Sequence, residues 1–224
     1  MRSVRIYRSS LKKKVSQWVL AQQKEPEDMA GEAEKTGLFF GSFNPVHVGH
    51  MIIANYMATR AGLREVWLVV SPQNPLKPKR SLARDYDRLH LVQLAIGDNL
   101  RLRASDIEFG LPKPSYTIDT LAYLQEKHPG RPFVLIMGAD NLSTLHKWKN
   151  YELLLNRHEI YVYQRPGYEN GPFANHPNVR IFDAPQMHIS ASYIRDCLRD
   201  GHSVQYLVPD AVYEYLEKSG LYKE

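Results

Sequence analysis

The fold of this chain is decided by the stretch Phe39-Phe40-Gly41-Ser42-Phe43-Asn44-Pro45-Val46-His47-Val48-Gly49-His50. The apolar run Gly37–Phe40 is typical of a strand buried in a parallel sheet, and Asn44-Pro45 ends that strand. From Met51 onward, apolar residues recur at helical spacing. The stretch therefore predicts a buried strand that turns into a helix, with two histidines on or just before the first helical turn.

His47 and His50 are candidate phosphate-binding residues because of this position. Backbone N–H groups at the start of a helix have no partner within the helix and attract anions. Imidazole rings beside them add donors, and positive charge when protonated. A zinc site would need three or four ligands, but Cys197 is the only cysteine and no further cluster has ligand spacing. We therefore expect no metal site and favour phosphate binding over an ordinary glycine turn with structural histidines.

Strand-like apolar runs alternate with helix-like segments along the rest of the chain. The predicted strands are Leu38–Phe40, Val66–Val70, Leu100–Ala104, Phe133–Met137, Ile160–Tyr163 and Val179–Phe182. The predicted helices are Val48–Ala61, Asp85–Ile96, Ile118–Lys127, Tyr151–Leu155, Ser192–Arg199 and Pro209–Lys218. This alternation predicts a single α/β domain with a doubly wound, mostly parallel sheet. Ligands of such sheets bind beyond the carboxyl ends of the strands.

Composition and charge limit the classes of function. A chain of 224 residues is long enough for one α/β domain with a sizeable core. Its net charge is +5 and residues 1–24 contribute +7, so the remaining residues sum to +5 − 7 = −2. We therefore expect no specific nucleic-acid partner for the body of the chain. The lone Cys197 is expected in the core and indicates a reducing, cytoplasmic location, and no apolar run reaches the length of a membrane span.

The basic residues at the start of the chain belong to a predicted N-terminal extension, residues 1–36, ahead of the α/β domain at 37–224. We expect this extension to be poorly ordered. Its acid-free beginning resembles an organelle transit peptide in composition. A start of translation at Met29 is an alternative explanation, so the role of the extension is left open.

Several motifs together resemble one known family. Ser42–His50 resembles the HxGH motif of the nucleotidyltransferase superfamily, and bacterial nicotinate-nucleotide adenylyltransferases are the most similar branch. The further segments that fall in the family's order are Pro75–Lys77, Pro114–Leu121, Gly138–Asp140, Lys147-Trp148, Arg165–Tyr168 and Ile189–Arg195. The resemblance runs from about Gly37 to Gly220. An HxGH motif alone identifies only the superfamily, whereas the ordered set indicates the nicotinate branch and its Rossmann-like fold.

The resemblance implies adenylyl transfer from ATP to nicotinate mononucleotide, giving deamido-NAD and pyrophosphate in NAD biosynthesis. It also implies that Mg²⁺ accompanies the ATP. A substrate phosphate that attacks the α-phosphate is already ionised and needs no general base. The reaction needs alignment and neutralisation of charge. The absence of a GxSxG elbow and of a Walker phosphate loop from the sequence agrees with this chemistry.

Individual residues receive roles from the same resemblance. The implied catalytic residues are His47, His50 and Arg195. The implied ATP-binding residues are Ser42, Phe43, Gly49, Gly138, Asp140, Arg165, Ile189, Ser190 and Ser192. The residues implied to bind nicotinate mononucleotide are Asn44, Lys77, Tyr116, Thr117 and Trp148.

The segment Ile189–Arg195 resembles the family's ISxTxIR motif, with Ser192 in place of the usual Thr. Ser190 is a suitable N-cap residue, and small hydroxyl residues leave the first amides of a helix accessible. Arg195 follows one turn later. An ordinary capped helix with a solvated arginine is the alternative, but the presence of the histidine motif favours phosphate binding.

Trp148 and the pair Tyr116-Thr117 match the family's pocket for the pyridine ring. The resemblance implies that the indole of Trp148 stacks on the positively charged ring. It also implies that backbone N–H groups near Thr117 bind the nicotinate carboxylate, which would select the acid over the amide. A tryptophan that simply covers the edge of the core is the alternative interpretation.

Three other residues are assigned to the nucleotides by resemblance. Lys77 is implied to contact a phosphate, although it lies in a basic loop that could be solvated. Asp140 is placed where it can accept from ribose hydroxyls, although it could instead cap the following helix. Arg165 matches an arginine of the nucleotide site.

Two other classes of function are kept as alternatives. Phosphopantetheine adenylyltransferases and polyol-phosphate cytidylyltransferases share the histidine motif, but the Tyr116-Thr117 and Lys147-Trp148 segments have no evident purpose in them. A non-catalytic nucleotide-binding module with a nucleic-acid-binding tail is the second alternative. The expected partners are therefore ATP and nicotinate mononucleotide, with no membrane, and a homo-oligomer is left open.

Overall fold

Six parallel strands form the sheet of the computed structural model, which describes residues 34–73, 82–165, 167 and 171–223. The strands are β1 (Thr36–Gly41), β2 (Glu65–Val70), β3 (Leu102–Ser105), β4 (Phe133–Gly138), β5 (Glu159–Tyr163) and β6 (Val179–Phe182). Their order across the sheet is β3-β2-β1-β4-β5-β6. The predicted doubly wound parallel sheet is confirmed.

Seven α-helices of the described segments connect and cover these strands. They are α1 (Val48–Arg60), α2 (Asp85–Ile96), α3 (Thr117–Lys127), α4 (Ala139–Ser143), α5 (Tyr151–Arg157), α6 (Ala191–Arg199) and α7 (Asp210–Ser219). Every predicted strand and helix is present, with ends that differ by a few residues at most. The short helix α4 and the 3-10 turns Ile107–Gly110 and Leu145–Lys147 were not predicted, because segments this short carry too little periodicity.

The strand order places the candidate site at the point where the connections change direction. β1 pairs with β2 on one side and with β4 on the other. The chain therefore leaves β1 toward one edge of the sheet and returns to start the other half at β4. Ligands of doubly wound sheets bind in the crevice at this switch point, beyond the carboxyl ends of the strands. Gly41 and Gly138 end the two central strands there.

Alternate residues of each strand face opposite layers of helices. On one face, strand side chains such as Phe39, Leu68 and Ile136 share a buried cluster with residues of α1, α2, α6 and α7. On the other face, two further clusters join strand residues such as Leu38 and Leu135 to α3, α4 and α5. Cys197 is buried in the first cluster as a free thiol, which confirms its predicted core position.

The described part of the chain begins just before β1. β1 starts at Thr36, and Lys35 makes an ion pair of 2.8 Å with Glu159. Residues 1–33, which make up nearly all of the predicted N-terminal extension, lie outside the described residues. Within the described ranges, no helix is long and apolar enough to cross a membrane.

Candidate active site

The two histidines meet at the turn between β1 and α1. His47 is the N-cap residue of α1 and has extended backbone angles, φ −142° and ψ 169°. Its backbone N–H donates to Nδ1 of His50 over 3.2 Å, and the two imidazole rings stack with centroids 3.6 Å apart. The ring of Phe43 packs edge-on against His50. The histidine pair is therefore a fixed unit, not two separate flexible side chains.

Burial keeps His47 neutral near pH 7. Its side chain is buried in the turn, and this desolvation, together with the positive charge of Arg165, lowers its pKa to about 4. Its Nδ1 atom is buried and has no hydrogen-bond partner among the residues that the structure describes. His47 thus contributes a neutral ring to the turn and carries no positive charge near pH 7.

The expectation of unpartnered amides at the start of α1 is wrong for two residues. The N–H of Val48 donates to the carbonyl of Leu207 over 3.0 Å, and the N–H of His50 donates to the carbonyl of His47 over 2.9 Å. The first bond arises because the segment between α6 and α7 returns to the beginning of α1. The predicted binding of phosphate at this turn would therefore depend more on side chains than the sequence indicated.

Two glycines make room for the rings of the turn. Phe43 has a φ of 44° and is buried, with its ring lying over Gly41. A Cβ at Gly41 would approach that ring to 2.7 Å, and a Cβ at Gly49 would approach Nδ1 of His47 to 3.1 Å. The predicted ATP-binding residues Phe43 and Gly49 therefore also have a packing function, because they shape the space around the two histidines.

Arg195 joins the start of α6 to the histidine turn. Its guanidinium donates to the carbonyl of Asn44 over 2.7 Å and to the hydroxyl of Ser192 over 3.3 Å. Ser190 accepts from the N–H of Tyr193 over 3.1 Å, which confirms the predicted N-cap. Ile189 packs against the large buried cluster. The structure thus brings the two predicted phosphate-binding motifs together, although 151 residues separate Asn44 from Arg195.

The side chain of Asn44 is engaged inside the protein. Its Oδ1 atom accepts from the backbone N–H of Ala83 over 3.0 Å and from the hydroxyl of Tyr222 over 2.8 Å. Asn44 is buried, with 3% of its surface exposed. Its predicted contact with nicotinate mononucleotide stays a prediction, and its structural function is to hold the turn to two distant segments.

Arg88 is a central residue of this region that sequence reasoning missed. Its side chain is completely buried, and its guanidinium donates to the carbonyls of Ser42, Ser71 and Ala83 and to the carboxylate of Asp85. It therefore ties the ends of β1 and β2 together. The sequence did contain an indication that Arg88 is buried, because it lies on the apolar side of α2, one turn before the buried Leu91 and Val92.

A second group of predicted residues lies at the ends of β4 and β5. Nε of Arg165 is 3.4 Å from Oδ1 of Asp140, and its guanidinium donates to the hydroxyl of Tyr163 over 3.3 Å. A Cβ at Gly138 would collide with Oδ1 of Asp140, so a larger residue there would displace that carboxylate. Gly138 is also the N-cap residue of α4. The alternative interpretation of Asp140 as that cap is therefore wrong, because Asp140 lies within the first turn.

The proposed pyridine pocket is built around the beginning of α3. Thr117 is the first residue of α3 and Tyr116 is its N-cap. Trp148 is half-buried between the two smaller clusters, and its indole N–H has no partner among the described residues. Lys149, which sequence reasoning missed, lies 4.8 Å above the Tyr116 ring and donates to Asp119 over 2.7 Å. Packing and this ion pair thus link the Trp148 segment to the start of α3.

Two further expectations concern the phosphate contact of Lys77 and the absence of a metal site. Lys77 lies outside the described residues. In the part of the chain that the structure describes, no group of three or more His, Cys, Asp or Glu side chains could hold a metal ion. The side chains that meet at the histidine turn are nitrogen donors, which suit phosphate oxygens better than Mg²⁺.

Comparisons with known proteins show which family this chain resembles. The cytidylyltransferase-like family model matches residues 38–197. A probable nicotinate-nucleotide adenylyltransferase of Flavobacterium psychrophilum is 51% identical over 192 residues, 85% of this chain and 100% of that protein. One of the same description from Cytophaga hutchinsonii is 53% identical over 182 residues, 81% of this chain and 95% of that protein.

Solved structures share the fold at low sequence identity. Nicotinic acid mononucleotide adenylyltransferase of Plasmodium falciparum, in complex with NaAD, has a TM-score of 0.73 at 19% identity. The match covers 84% of this chain and 97% of that one. With the high identity of the bacterial relatives and the match to the family model, the chain belongs to the nicotinate-nucleotide adenylyltransferase family of cytidylyltransferase-like proteins.

Proposed function

We propose that this chain transfers the adenylyl group of ATP to nicotinate mononucleotide, producing deamido-NAD and pyrophosphate. The observation that carries the proposal is the convergence of His47, His50 and Arg195 on one turn at the switch point of the sheet. The names of the bacterial relatives supply the substrate class. In this reaction a phosphate oxygen of the mononucleotide attacks the α-phosphate, and pyrophosphate leaves.

The histidine turn supplies fixed donors for the charge that develops on the phosphates. Because Nδ1 of His50 accepts from the N–H of His47, the neutral His50 ring carries its proton on Nε2 and can donate it to a phosphate oxygen. Arg195 adds a permanent positive charge. Donors that are already oriented cost no reorganisation during the reaction, which is the main requirement when the nucleophile is already ionised.

ATP is proposed to arrive with its own Mg²⁺. Mg²⁺ in nucleotide sites is held largely by phosphate oxygens and water. The nitrogen donors of the turn complement such a complex, because they bind phosphate oxygens that the ion leaves available. Asp140 and Arg165 lie at the end of the neighbouring strands, where we propose that they contact the nucleotide.

The mononucleotide is proposed to bind between Trp148 and the start of α3. A cationic pyridine ring over an indole is favourable by about 0.5 to 2 kcal/mol. The backbone N–H groups of Thr117 and Ile118, at the start of the 11-residue helix α3, are suited to a carboxylate, whereas the N–H of Asp119 donates to the carbonyl of Tyr116. An amide in place of that carboxylate would leave these donors without a charged acceptor, so we expect the acid form to be preferred.

Pyrophosphate release from ATP tests this function. We expect release with nicotinate mononucleotide and little release with phosphopantetheine or without an acceptor. Turnover with phosphopantetheine instead would move the chain to another branch of the superfamily. Binding of ATP without release under any condition would indicate a non-catalytic nucleotide-binding module.

A further inference from the structure

The C-terminal segment returns to the active site and contacts it with one side chain. Gly220 and Tyr222 have φ values of 67° and 70°, and the N–H of Lys223 donates to the carbonyl of Gly220 over 3.1 Å. This tight turn directs the Tyr222 ring against the large buried cluster. Its hydroxyl then donates to Oδ1 of Asn44 over 2.8 Å, across 178 residues of sequence.

The hydroxyl of Tyr222 is a protonated donor near neutral pH. Burial raises the pKa of this phenol well above its ordinary value, against the opposing influence of the arginines Arg88 and Arg195. Asn44 is also buried, so water does not readily replace the contact. A neutral hydrogen bond in such surroundings orients its partners firmly.

Asn44 transmits this contact to the phosphate-binding groups. Its side-chain oxygen takes two hydrogen bonds, from Tyr222 and from the N–H of Ala83. Its backbone carbonyl accepts from Arg195 over 2.7 Å. The orientation of that carbonyl depends on the orientation of the whole residue, because side chain and backbone share the same Cα atom. Asn44, which Tyr222 anchors, is therefore also the residue whose carbonyl holds the guanidinium of Arg195.

We propose that Tyr222 is a positioning residue that acts through Asn44 to orient Arg195 toward the substrate phosphates. This inference rests on the proposed adenylyl transfer. Without the hydroxyl, Oδ1 of Asn44 loses one of its hydrogen-bond donors, and the carbonyl that holds Arg195 is positioned less firmly. A misplaced guanidinium stabilises the transition state less, while the binding of the mononucleotide at Trp148 is unaffected.

A double-mutant cycle tests this proposal. Tyr222→Phe is made in the wild-type chain and in an Arg195→Ala background, and kcat is measured for deamido-NAD formation. We expect a decrease of about 3- to 10-fold in the wild-type chain and less than about 2-fold in the Arg195→Ala background, with little change in the KM for nicotinate mononucleotide. A purely structural loss would lower kcat by the same factor in both backgrounds.

Tyr161→Phe is the matched control. Tyr161 is also buried, and its hydroxyl contacts Glu159 at the beginning of β5, away from the histidine turn. We expect this variant to keep kcat within about twofold of the wild type. The proposal would be overturned if Tyr222→Phe lowered kcat by the same factor in the wild-type and Arg195→Ala backgrounds, or if it left kcat unchanged. Absence of deamido-NAD formation by the wild-type chain would instead refute the proposed function.

Discussion

The histidine turn and the Trp148 segment are held in place in different ways. Buried contacts from Arg88, Ala83, Arg195 and Tyr222 converge on the residues Ser42–Asn44. The Trp148 segment is held by half-buried packing and by an ion pair between Lys149 and Asp119, whose side chains are 42% and 50% exposed. The first region is held by several buried hydrogen bonds, whereas the second is held by packing and a partly exposed ion pair.

This difference suggests a division of tasks. Fixed donors at the histidine turn are useful in the transition state, because their geometry is already set when charge develops. A packed aromatic wall without such anchoring is suited to recognition of a flat ring. We therefore expect changes in the turn to affect stability and turnover, and changes in the Trp148 segment to affect substrate binding.

The largest effect is expected for Arg88→Ala. Removing this buried guanidinium leaves three backbone carbonyls without their partner and should lower the free energy of unfolding by about 3 to 5 kcal/mol. Denaturant unfolding measures this change. The exposed Arg60 provides the control, since Arg60→Ala should cost less than about 1 kcal/mol. Equal effects of the two substitutions would show that the turn does not depend on Arg88.

The pH dependence of stability should reveal the buried imidazole of His47. Its pKa is about 4 in the folded chain and 6.5 when unfolded, so the unfolded state binds the proton first as the pH falls. Stability should therefore decrease from pH 6.5 to about 4, by about 3 kcal/mol for this group, and level off below. Unfolding of His47→Gln at the same pH values should lack this component. An identical pH profile in both proteins would contradict the assignment.

Replacing either histidine should lower turnover without unfolding the chain. His47→Ala and His50→Ala are each expected to reduce kcat at least tenfold, which is on the order of 1.4 kcal/mol of transition-state stabilisation. Steady-state kinetics and melting curves measure the two quantities separately. The exposed His202 serves as the control, with an unchanged kcat expected for His202→Ala. Near-normal turnover in a turn variant would remove that histidine from the mechanism.

The smallest change in free energy is expected for Trp148→Ala, and it should affect the binding of nicotinate mononucleotide. Trp148→Ala should raise the KM for nicotinate mononucleotide by a factor of roughly 2 to 30, from about 0.5 to 2 kcal/mol of lost stacking. The KM for ATP should hardly change. The preference for the acid should persist, because its donors are main-chain groups. If Trp148→Ala raised only the KM for ATP, the assignment of Trp148 to the mononucleotide pocket would be wrong.

The sequence predicted the parts of the molecule that are encoded locally. The strand-turn-helix around His47 is contiguous, so its periodicity and its turn residues were sufficient to place it at the carboxyl ends of the strands. The contacts of Arg88, Lys149 and Tyr222 depend on chain segments that meet only in the folded protein. The same reason explains the error about the amides of α1, since the partner of Val48 comes from Leu207.

Competition between the acid and amide mononucleotides tests the proposed function and its pocket most directly. ATP is incubated with the full chain and equal concentrations of nicotinate and nicotinamide mononucleotide, and the dinucleotide products are quantified by mass spectrometry. We expect deamido-NAD to exceed NAD by at least about tenfold, because the amide leaves the carboxylate donors at the start of α3 without a charged acceptor. Equal amounts of the two products would contradict the assignment of the pocket, and the absence of both would contradict the proposed reaction.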